Sequence, residues 1–146
     1  MAEIKYESKI TSAPASADTM FAVLSDLSNI ERVKDLIPQD KVRDMEFDRD
    51  TVRFKVDGLG QKIMLRILER EPGKTVKFGA DNSPIPLNFW IQLKQVADRD
   101  TRIRLTVKTD LPVMFRMMLG SKLQQGLDQA ADMLAQMPYD QWAATL

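Results

Sequence analysis

Residues 112–137, PVMFRMMLGSKLQQGLDQAADMLAQM, decide the fold that this sequence predicts. Mostly apolar residues recur there at steps of three or four, a spacing that places them on one face of an α-helix. This stripe consists of Arg116, Leu119, Leu123, Leu127, Ala130, Leu134 and Met137. A helix with such a face needs an apolar surface to cover. We therefore expect a long C-terminal helix that packs on the segments preceding it.

Between residues 42 and 109 the sequence alternates apolar and polar residues with the period of a half-buried β-strand. Short turn-forming segments separate the strands, which predicts antiparallel pairing. These turns are 48–50, 57–60, 72–74, 79–86 and 98–100. The apolar face is predicted to hold Val52, Phe54, Val56, Ile63, Leu65, Ile67, Val76, Phe78, Phe89, Ile91, Leu93, Ile103, Leu105 and Val107. The opposite face is almost uniformly basic, with Arg53, Lys55, Lys62, Arg66, Lys77, Lys94, Arg102, Arg104 and Lys108.

The N-terminal part predicts one strand followed by two short helices. Residues 4–10 alternate like a strand, and the pattern ends at 11–15. Ser16 is placed to cap the first helix. Ser28 and Glu31 have the spacing of a capping box for the second helix, which must end before Pro38.

Composition excludes several classes of function. The 146 residues suit a single domain, 1–146, with one core. Because 21 basic residues balance 21 acidic ones, neither disorder nor a nucleic-acid partner is indicated. The chain has no cysteine and no histidine, so it lacks thiolate chemistry, the usual general base and the commonest metal ligand. We expect no metal, no cofactor and no membrane span, and a cytoplasmic protein.

The order of strand, two short helices, about six strands and a long terminal helix resembles the START or Bet v 1-like superfamily, also called SRPBCC or polyketide cyclase-like proteins. The matching residues are the Ala13-Pro14 turn before MFAVLSD at 20–26, and Asp110-Leu111-Pro112 at the entrance to the helix. The resemblance implies an α+β helix-grip fold. In it, a curved antiparallel sheet of six or seven strands wraps around the C-terminal helix, with two short helices after strand one. It also implies an apolar cavity between sheet and helix.

The resemblance and the inward-facing positions together give a candidate cavity lining. It consists of Tyr6, Phe54, Leu65, Phe78, Phe89, Ile91, Leu105, Arg116, Leu119, Gly120, Leu123 and Leu127. Gly120 and Gly126 either leave room for a ligand on the helix, or Gly120 ends one helical piece and Ser121 caps another. Arg116 either binds an anionic head group or reaches solvent or a neighbouring acid.

Two further groups of side chains are ambiguous. Methionine lines adaptable binding surfaces and also fills irregular cores, and we favour the core for those in the terminal segment. They are Met114, Met117, Met118, Met133 and Met137. Trp90 has outward parity and is a candidate contact residue.

The expected function is the binding or carriage of a small hydrophobic ligand, such as a lipid or polyketide, with no catalytic residues. One alternative is an enzyme of the cyclase or dehydratase kind that uses Tyr6, Glu69 or Arg116. Another is a module that docks an acidic partner on the basic sheet face or through Trp90. The tail at 139–146 could pack on its own sheet or on a second copy, which makes a homodimer possible.

Overall fold

The structure is a computed structural model that describes residues 3–36, 40, 42–56, 62–81, 86–110 and 112–145, without the side chains of Leu36, Val56, Asp81, Phe115 and Leu119. Pro38, the predicted turn at 57–60 and residues 82–85 of the predicted turn at 79–86 lie outside these residues. Residues 79–81 continue a strand, so the predicted start of that turn is wrong.

Eight strands and three α-helices form within the described residues. The strands are β1 Ile4–Glu7, β2 Thr11–Ala13, β3 Val42–Phe47, β4 Thr51–Val56, β5 Lys62–Glu71, β6 Thr75–Asp81, β7 Leu87–Ala97 and β8 Asp100–Thr109. The α-helices are α1 Ala17–Leu24, α2 Val113–Ala135 and α3 Tyr139–Ala143. Two 3₁₀ helices, Leu27–Arg32 and Lys34–Leu36, follow α1. The predicted order of elements is confirmed.

The strands form one antiparallel sheet in the order β1-β8-β7-β6-β5-β4-β3, and β2 also pairs with β8. Strands β1 and β2 therefore lie in the same edge position, so the eight strands fill seven positions across the sheet. The predicted continuous strand at 4–10 is wrong, because the chain leaves the ladder after Glu7 and rejoins it at Thr11. Ser8 bridges the break. Its N–H donates to the carbonyl of Leu105 at 2.8 Å, and its hydroxyl accepts from the N–H of Leu105 at 2.9 Å.

The short helices begin at caps that the sequence predicted only in part. Ser16 caps α1 as expected, with its hydroxyl accepting from the N–H of Thr19 at 3.2 Å. The capping box at Ser28 is wrong, because Ser28 lies inside a 3₁₀ helix whose cap is Asp26. The carboxylate of Asp26 accepts from the N–H of Ser28 at 3.0 Å. Asp26 satisfies one of the first N–H groups of the turn, which is the work of an N-cap residue.

Helix α2 is uninterrupted from Val113 to Ala135, so the predicted alternative of a break at Gly120 with a cap at Ser121 is wrong. It lies over β1, β2 and β8. The tail returns through α3 onto α1, not onto the sheet, and buries Tyr139. The Tyr139 hydroxyl donates to the carbonyl of Leu134, and burial raises the pKa of this hydroxyl above its usual 10.0.

The predicted apolar face is confirmed along β6, β7 and β8. Almost all of its inward side chains there are buried, and they form one cluster with α1, the second half of α2 and α3. The largest fully buried side chains of the described residues are Tyr139, Met20, Ile103, Leu105, Val76 and Thr101. These buried side chains place the main core at one end of the sheet–helix interface.

Candidate ligand-binding site

The inner face of the sheet differs between its two ends. On β8, Ile103 is fully buried, whereas Phe54 on β4 and Ile63 and Leu65 on β5 are only half-buried. Phe54 pairs with Ile63 across the ladder, so these side chains share the inward side. We call Phe54, Ile63, Leu65 and the first half of α2, residues 113–123, the open end. The packed end consists of α1, α3, the second half of α2 and the inward residues of β6 to β8.

The predicted cavity lining is divided between these ends. Phe78, Ile91, Leu105 and Leu127 are buried in the main cluster. Tyr6, Leu65, Phe89 and Leu123 are only partly buried against that cluster. The ring centroids of Phe78, in the buried group, and Phe89, in the partly buried group, lie 5.4 Å apart, so the two groups are in contact. The side chain of Leu119 lies outside the described residues.

Gly120 marks the close approach of α2 to strand β1. A Cβ placed on Gly120 would lie 3.2 Å from the hydroxyl oxygen of Tyr6, so the absent side chain makes room for that hydroxyl. Gly126 is exposed, and a Cβ there would meet nothing within 4 Å. The expectation that both glycines leave room on a buried stripe is therefore wrong for Gly126.

Glu69 has inward parity in the alternating pattern, but its place at a strand end before Pro72 predicts that it is solvated, and it is indeed exposed. A register shift between Ile67 and Glu69 turns the strand, so that Glu69 pairs with Lys77. The ammonium of Lys77 lies 5.5 Å from the ring of Trp90 on the outer face. A bulge of one residue reverses the alternation beyond it, which moves Glu69 to the outer side and away from Tyr6.

Other polar residues near the interface serve the backbone. The hydroxyl of Thr109 donates to the carbonyl of Pro86 at 2.9 Å. Arg116 is half-buried, one turn before Gly120, and its backbone N–H makes a helical hydrogen bond to the carbonyl of Pro112 at 3.1 Å. Sequence reasoning missed Asp110, one of whose carboxylate oxygens is buried without a hydrogen-bond partner among the described residues. Asp110 could have been identified from the sequence as an acidic residue directly before the start of the helix.

The outer face of the sheet is rich in basic residues, but many of these side chains form ion pairs with acidic ones. Trp90 faces outward as predicted, with Lys77 and Lys108 at 5.5 and 5.6 Å from its ring. Several of the basic side chains have acidic partners, namely Lys55 with Asp44 at 3.4 Å, Lys62 with Glu46 at 3.5 Å and Arg104 with Glu7 at 3.0 Å. These exposed pairs keep the face solvated and reduce its net positive charge.

The methionines of the terminal segment occupy two environments. Met137 packs against the main cluster as predicted. The core prediction is wrong for Met114, Met117 and Met118, which are 62% to 83% exposed. Together with Val113, they occupy positions i, i+1, i+4 and i+5 of the first helical turns, a second face beside the inward stripe. That spacing is visible in the sequence and could have identified them.

Two of the surface grooves among the described residues lie away from the interface between the sheet and α2. The larger encloses about 480 Å³ beside the 3₁₀ helix Leu27–Arg32, where Arg32 donates to the Thr145 hydroxyl at 2.8 Å. The smaller encloses about 350 Å³ beside Lys34 and Phe47. In the part of the chain that the structure describes, no three acidic side chains meet as a metal site would require. Nor is any helix in that part both long and apolar enough to cross a bilayer.

Comparison with known proteins gives structural relatives only. No protein-family model matches the chain, and no curated protein matches it in sequence. A norcoclaurine synthase point mutant from Thalictrum flavum superposes with a TM-score of 0.71 at 12% identity, over 99% of this chain and 96% of that one. A START superfamily protein from Mycobacterium smegmatis gives a TM-score of 0.60 at 14% identity, over 90% and 98% of the two chains. A protein from Thermobifida fusca gives 0.59 at 16% identity, over 87% and 85%.

At these identities the likeness carries the fold, and it extends over nearly the whole chain. The first strand, the short helices, the antiparallel sheet and the long terminal helix all have their counterparts in the predicted architecture, apart from the break between β1 and β2. The chain therefore has the helix-grip fold of the START and Bet v 1-like proteins.

Proposed function

We propose that this protein binds or carries a small hydrophobic ligand between the sheet and the first half of α2, without catalysing a reaction. The observation that carries the proposal is the half-buried state of Phe54, Ile63 and Leu65 on the inner face of β4 and β5. The proposal treats the 146 residues as one domain. A cytoplasmic location and a homodimer remain predictions from the sequence.

An apolar ligand would gain free energy from this surface. Each Å² of apolar surface removed from water is worth about 25 cal/mol, and a concave, mostly apolar site is the usual form of a small-molecule pocket. Helix α2 lies over β1, β2 and β8, while the half-buried side chains belong to β4 and β5, on the same inner face but toward the opposite edge of the sheet. The open end is thus the part of the inner face with apolar surface left to cover.

The chemistry of the described residues favours binding over catalysis. Glu69, the acid that an enzyme would need near Tyr6, pairs with Lys77 on the outer side. The hydroxyl of Tyr6 lies against Gly120, where no general base accompanies it among the described hydrogen bonds. An enzyme that used Glu69 together with Tyr6 would need both groups within reach of the same bound substrate.

Titration with cis-parinaric acid, a fluorescent fatty acid, tests the proposal. The wild-type protein should enhance the fluorescence of the probe saturably, and native mass spectrometry should show one probe per chain. Leu65→Trp adds bulk to the open end, so we expect at least a tenfold loss of affinity. Arg53→Trp is the matched control, because Arg53 is exposed on the opposite face of the neighbouring strand, and it should bind like the wild type. Equal binding by both variants, or no saturable binding, contradicts the proposal.

A further inference from the structure

The hydroxyl groups of the two tyrosines lie in different environments. The Tyr139 hydroxyl donates to the carbonyl of Leu134 within the packed end. No hydrogen bond among the described residues involves the Tyr6 hydroxyl, although Tyr6 is partly buried against the main cluster. Tyrosine hydroxyls in an interior usually have a hydrogen-bond partner. The Tyr6 hydroxyl is therefore a polar group for which the described part of the chain supplies no partner.

The Tyr6 hydroxyl lies against the first half of α2, which is one wall of the proposed ligand site. A Cβ placed on Gly120 would lie 3.2 Å from its oxygen, so a side chain at Gly120 would crowd the hydroxyl. Helix α2 is uninterrupted at Gly120, and its backbone groups there form the hydrogen bonds of the helix. Gly120 thus admits the hydroxyl to the wall of the site and leaves its hydrogen-bonding capacity unused.

The oxygen of Tyr6 is within reach of a small molecule. Among the described residues, the buried side-chain atom that lacks a hydrogen-bond partner is a carboxylate oxygen of Asp110. The Tyr6 oxygen also lacks a partner but is not enclosed in this way, so part of its surface stays accessible. Leu65 and Phe89 on the inner face are likewise only partly buried against the main cluster. A ligand on this incompletely covered surface can place its polar end at Tyr6.

The charges at this end of the interior favour no ionic end group. Arg116 lies on the inward stripe one turn before Gly120, and Asp110, of opposite charge, stands directly before the helix. Burying a charged group costs free energy unless a partner compensates it. The tyrosine hydroxyl is neutral, and it both donates and accepts hydrogen bonds. An uncharged hydroxyl on the ligand has the same two capacities and matches it.

We propose that the Tyr6 hydroxyl binds a hydroxyl group at the polar end of the ligand, so that the ligand is an alcohol with an apolar body. This inference rests on the proposed ligand site between the sheet and α2. Tyr6 is then a residue that determines specificity, and Gly120 is the residue that admits its hydroxyl. The apolar body covers Phe54, Ile63 and Leu65 at the open end.

Displacement of cis-parinaric acid by dodecan-1-ol and by dodecane-1-thiol tests the proposal. The two compounds have equal chain length, but a thiol is a poor hydrogen-bonding group. Tyr6→Phe should lower the affinity for the alcohol about fivefold and leave the affinity for the thiol unchanged, because it removes one neutral hydrogen bond. Tyr139→Phe is the matched control, since it removes the same atom at the packed end, and it should change neither affinity.

Urea unfolding of the ligand-free proteins separates binding from a structural role. Tyr6→Phe should keep the wild-type midpoint, because its hydroxyl has no hydrogen bond to lose among the described residues. Tyr139→Phe should lower the midpoint, because it loses the bond to Leu134. A midpoint that falls in Tyr6→Phe as it does in Tyr139→Phe would mean that the Tyr6 hydroxyl serves the fold.

A second pair of variants displaces the Tyr6 hydroxyl without removing it. Gly120→Ala places a methyl group 3.2 Å from the Tyr6 oxygen, which must shift, so the affinity for dodecan-1-ol should fall at least twofold relative to that for the thiol. Gly126→Ala is the control on the same helix, because its Cβ would meet nothing within 4 Å, and it should bind both compounds like the wild type.

Three outcomes of the displacement experiment would overturn the proposal. They are an unchanged affinity of Tyr6→Phe for dodecan-1-ol, equal losses for the alcohol and the thiol, and a larger loss for dodecanoic acid than for dodecan-1-ol, which would indicate a carboxylate. If the wild type binds cis-parinaric acid and Tyr6→Phe alters no affinity, this inference alone fails. If the wild type binds no probe saturably, the proposed function fails with it.

Discussion

The packed end and the open end of the interior are built from the same sheet and the same helix, yet they differ in how completely they are filled. At the packed end, Ile103 and Ala131 are fully buried, α1 and α3 pack against each other, and both contribute to the same buried cluster as the second half of α2. At the open end, Ile63 and Leu65 keep part of their surface in solvent. One end is formed for stability, and the other has apolar surface that a ligand could use.

This difference locates the stability of the domain. Cores resemble organic crystals in density, so side chains at the packed end should tolerate little change in volume. Half-buried side chains leave smaller cavities when they are truncated. Function and stability can therefore be varied separately by substituting one end or the other.

The largest expected effect on the free energy of unfolding comes from truncating an isoleucine at each end of the interior and comparing the two losses. Ile103→Ala should lower the free energy of unfolding by about 4 kcal/mol, because it removes a fully buried side chain and leaves a cavity. Ile63→Ala should lower it by about 1 kcal/mol, because Ile63 is only half-buried. Urea unfolding followed by circular dichroism measures both values. Equal losses would mean that the two ends are packed alike.

A smaller effect is expected at the tail of the packed end. Tyr139→Phe removes the hydroxyl that donates to the Leu134 carbonyl and should lower the free energy of unfolding by about 1.5 kcal/mol at pH 7. Burial raises the pKa of Tyr139 in the folded protein above its unfolded value of 10.0. Its contribution is therefore fully present below about pH 10 and is lost as the pH rises toward the raised pKa.

The difference between wild type and Tyr139→Phe should accordingly shrink above pH 10. Urea unfolding at several values between pH 7 and pH 11 checks this trend. A difference that stays constant with pH would show that the Tyr139 hydroxyl ionises equally in the folded and unfolded states.

The smallest expected effect is the difference in the free energy of unfolding between alanine substitutions at the two glycines of α2. Gly126→Ala should raise the free energy of unfolding by about 1 kcal/mol, because the site is exposed and alanine is the better helix former. Gly120→Ala should gain less, since its Cβ would lie 3.2 Å from the Tyr6 hydroxyl, which must shift to admit it. Thermal unfolding of both variants measures the difference. A larger gain at Gly120 would show that Tyr6 does not occupy this space in solution.

The sequence predicted those parts of the fold that follow from a repeating period. Strands β4 to β8 and helix α2 each bury one face, so apolar residues recur at steps of two or of three and four. The departures come from single residues that interrupt a period. The break at Ser8 and the register shift that turns Glu69 outward depend on hydrogen bonds and pairing across the sheet, which a linear pattern does not contain.

The candidate site was less predictable for a different reason. Periodicity shows which side chains point inward, but not whether neighbouring elements cover them. Leu105 and Leu65 have the same parity, and only the placement of α2 over β8 buries one more than the other. The exposed methionines were misassigned because an apolar residue in a helix was taken to belong to the core. The second apolar face, beside the inward stripe, was the sign that these methionines lie on the surface.

The most direct test of ligand binding at the open end is a methyl NMR spectrum of isoleucine-labelled protein with a spin-labelled stearic acid. The nitroxide broadens the signals of nearby methyl groups. The Ile63 signal should disappear as the probe saturates, while the buried Ile103 and the surface residue Ile10, which is 63% exposed, keep their intensity. An unchanged Ile63 signal at saturation, or equal loss at Ile63 and Ile10, would contradict a ligand site between β4, β5 and α2.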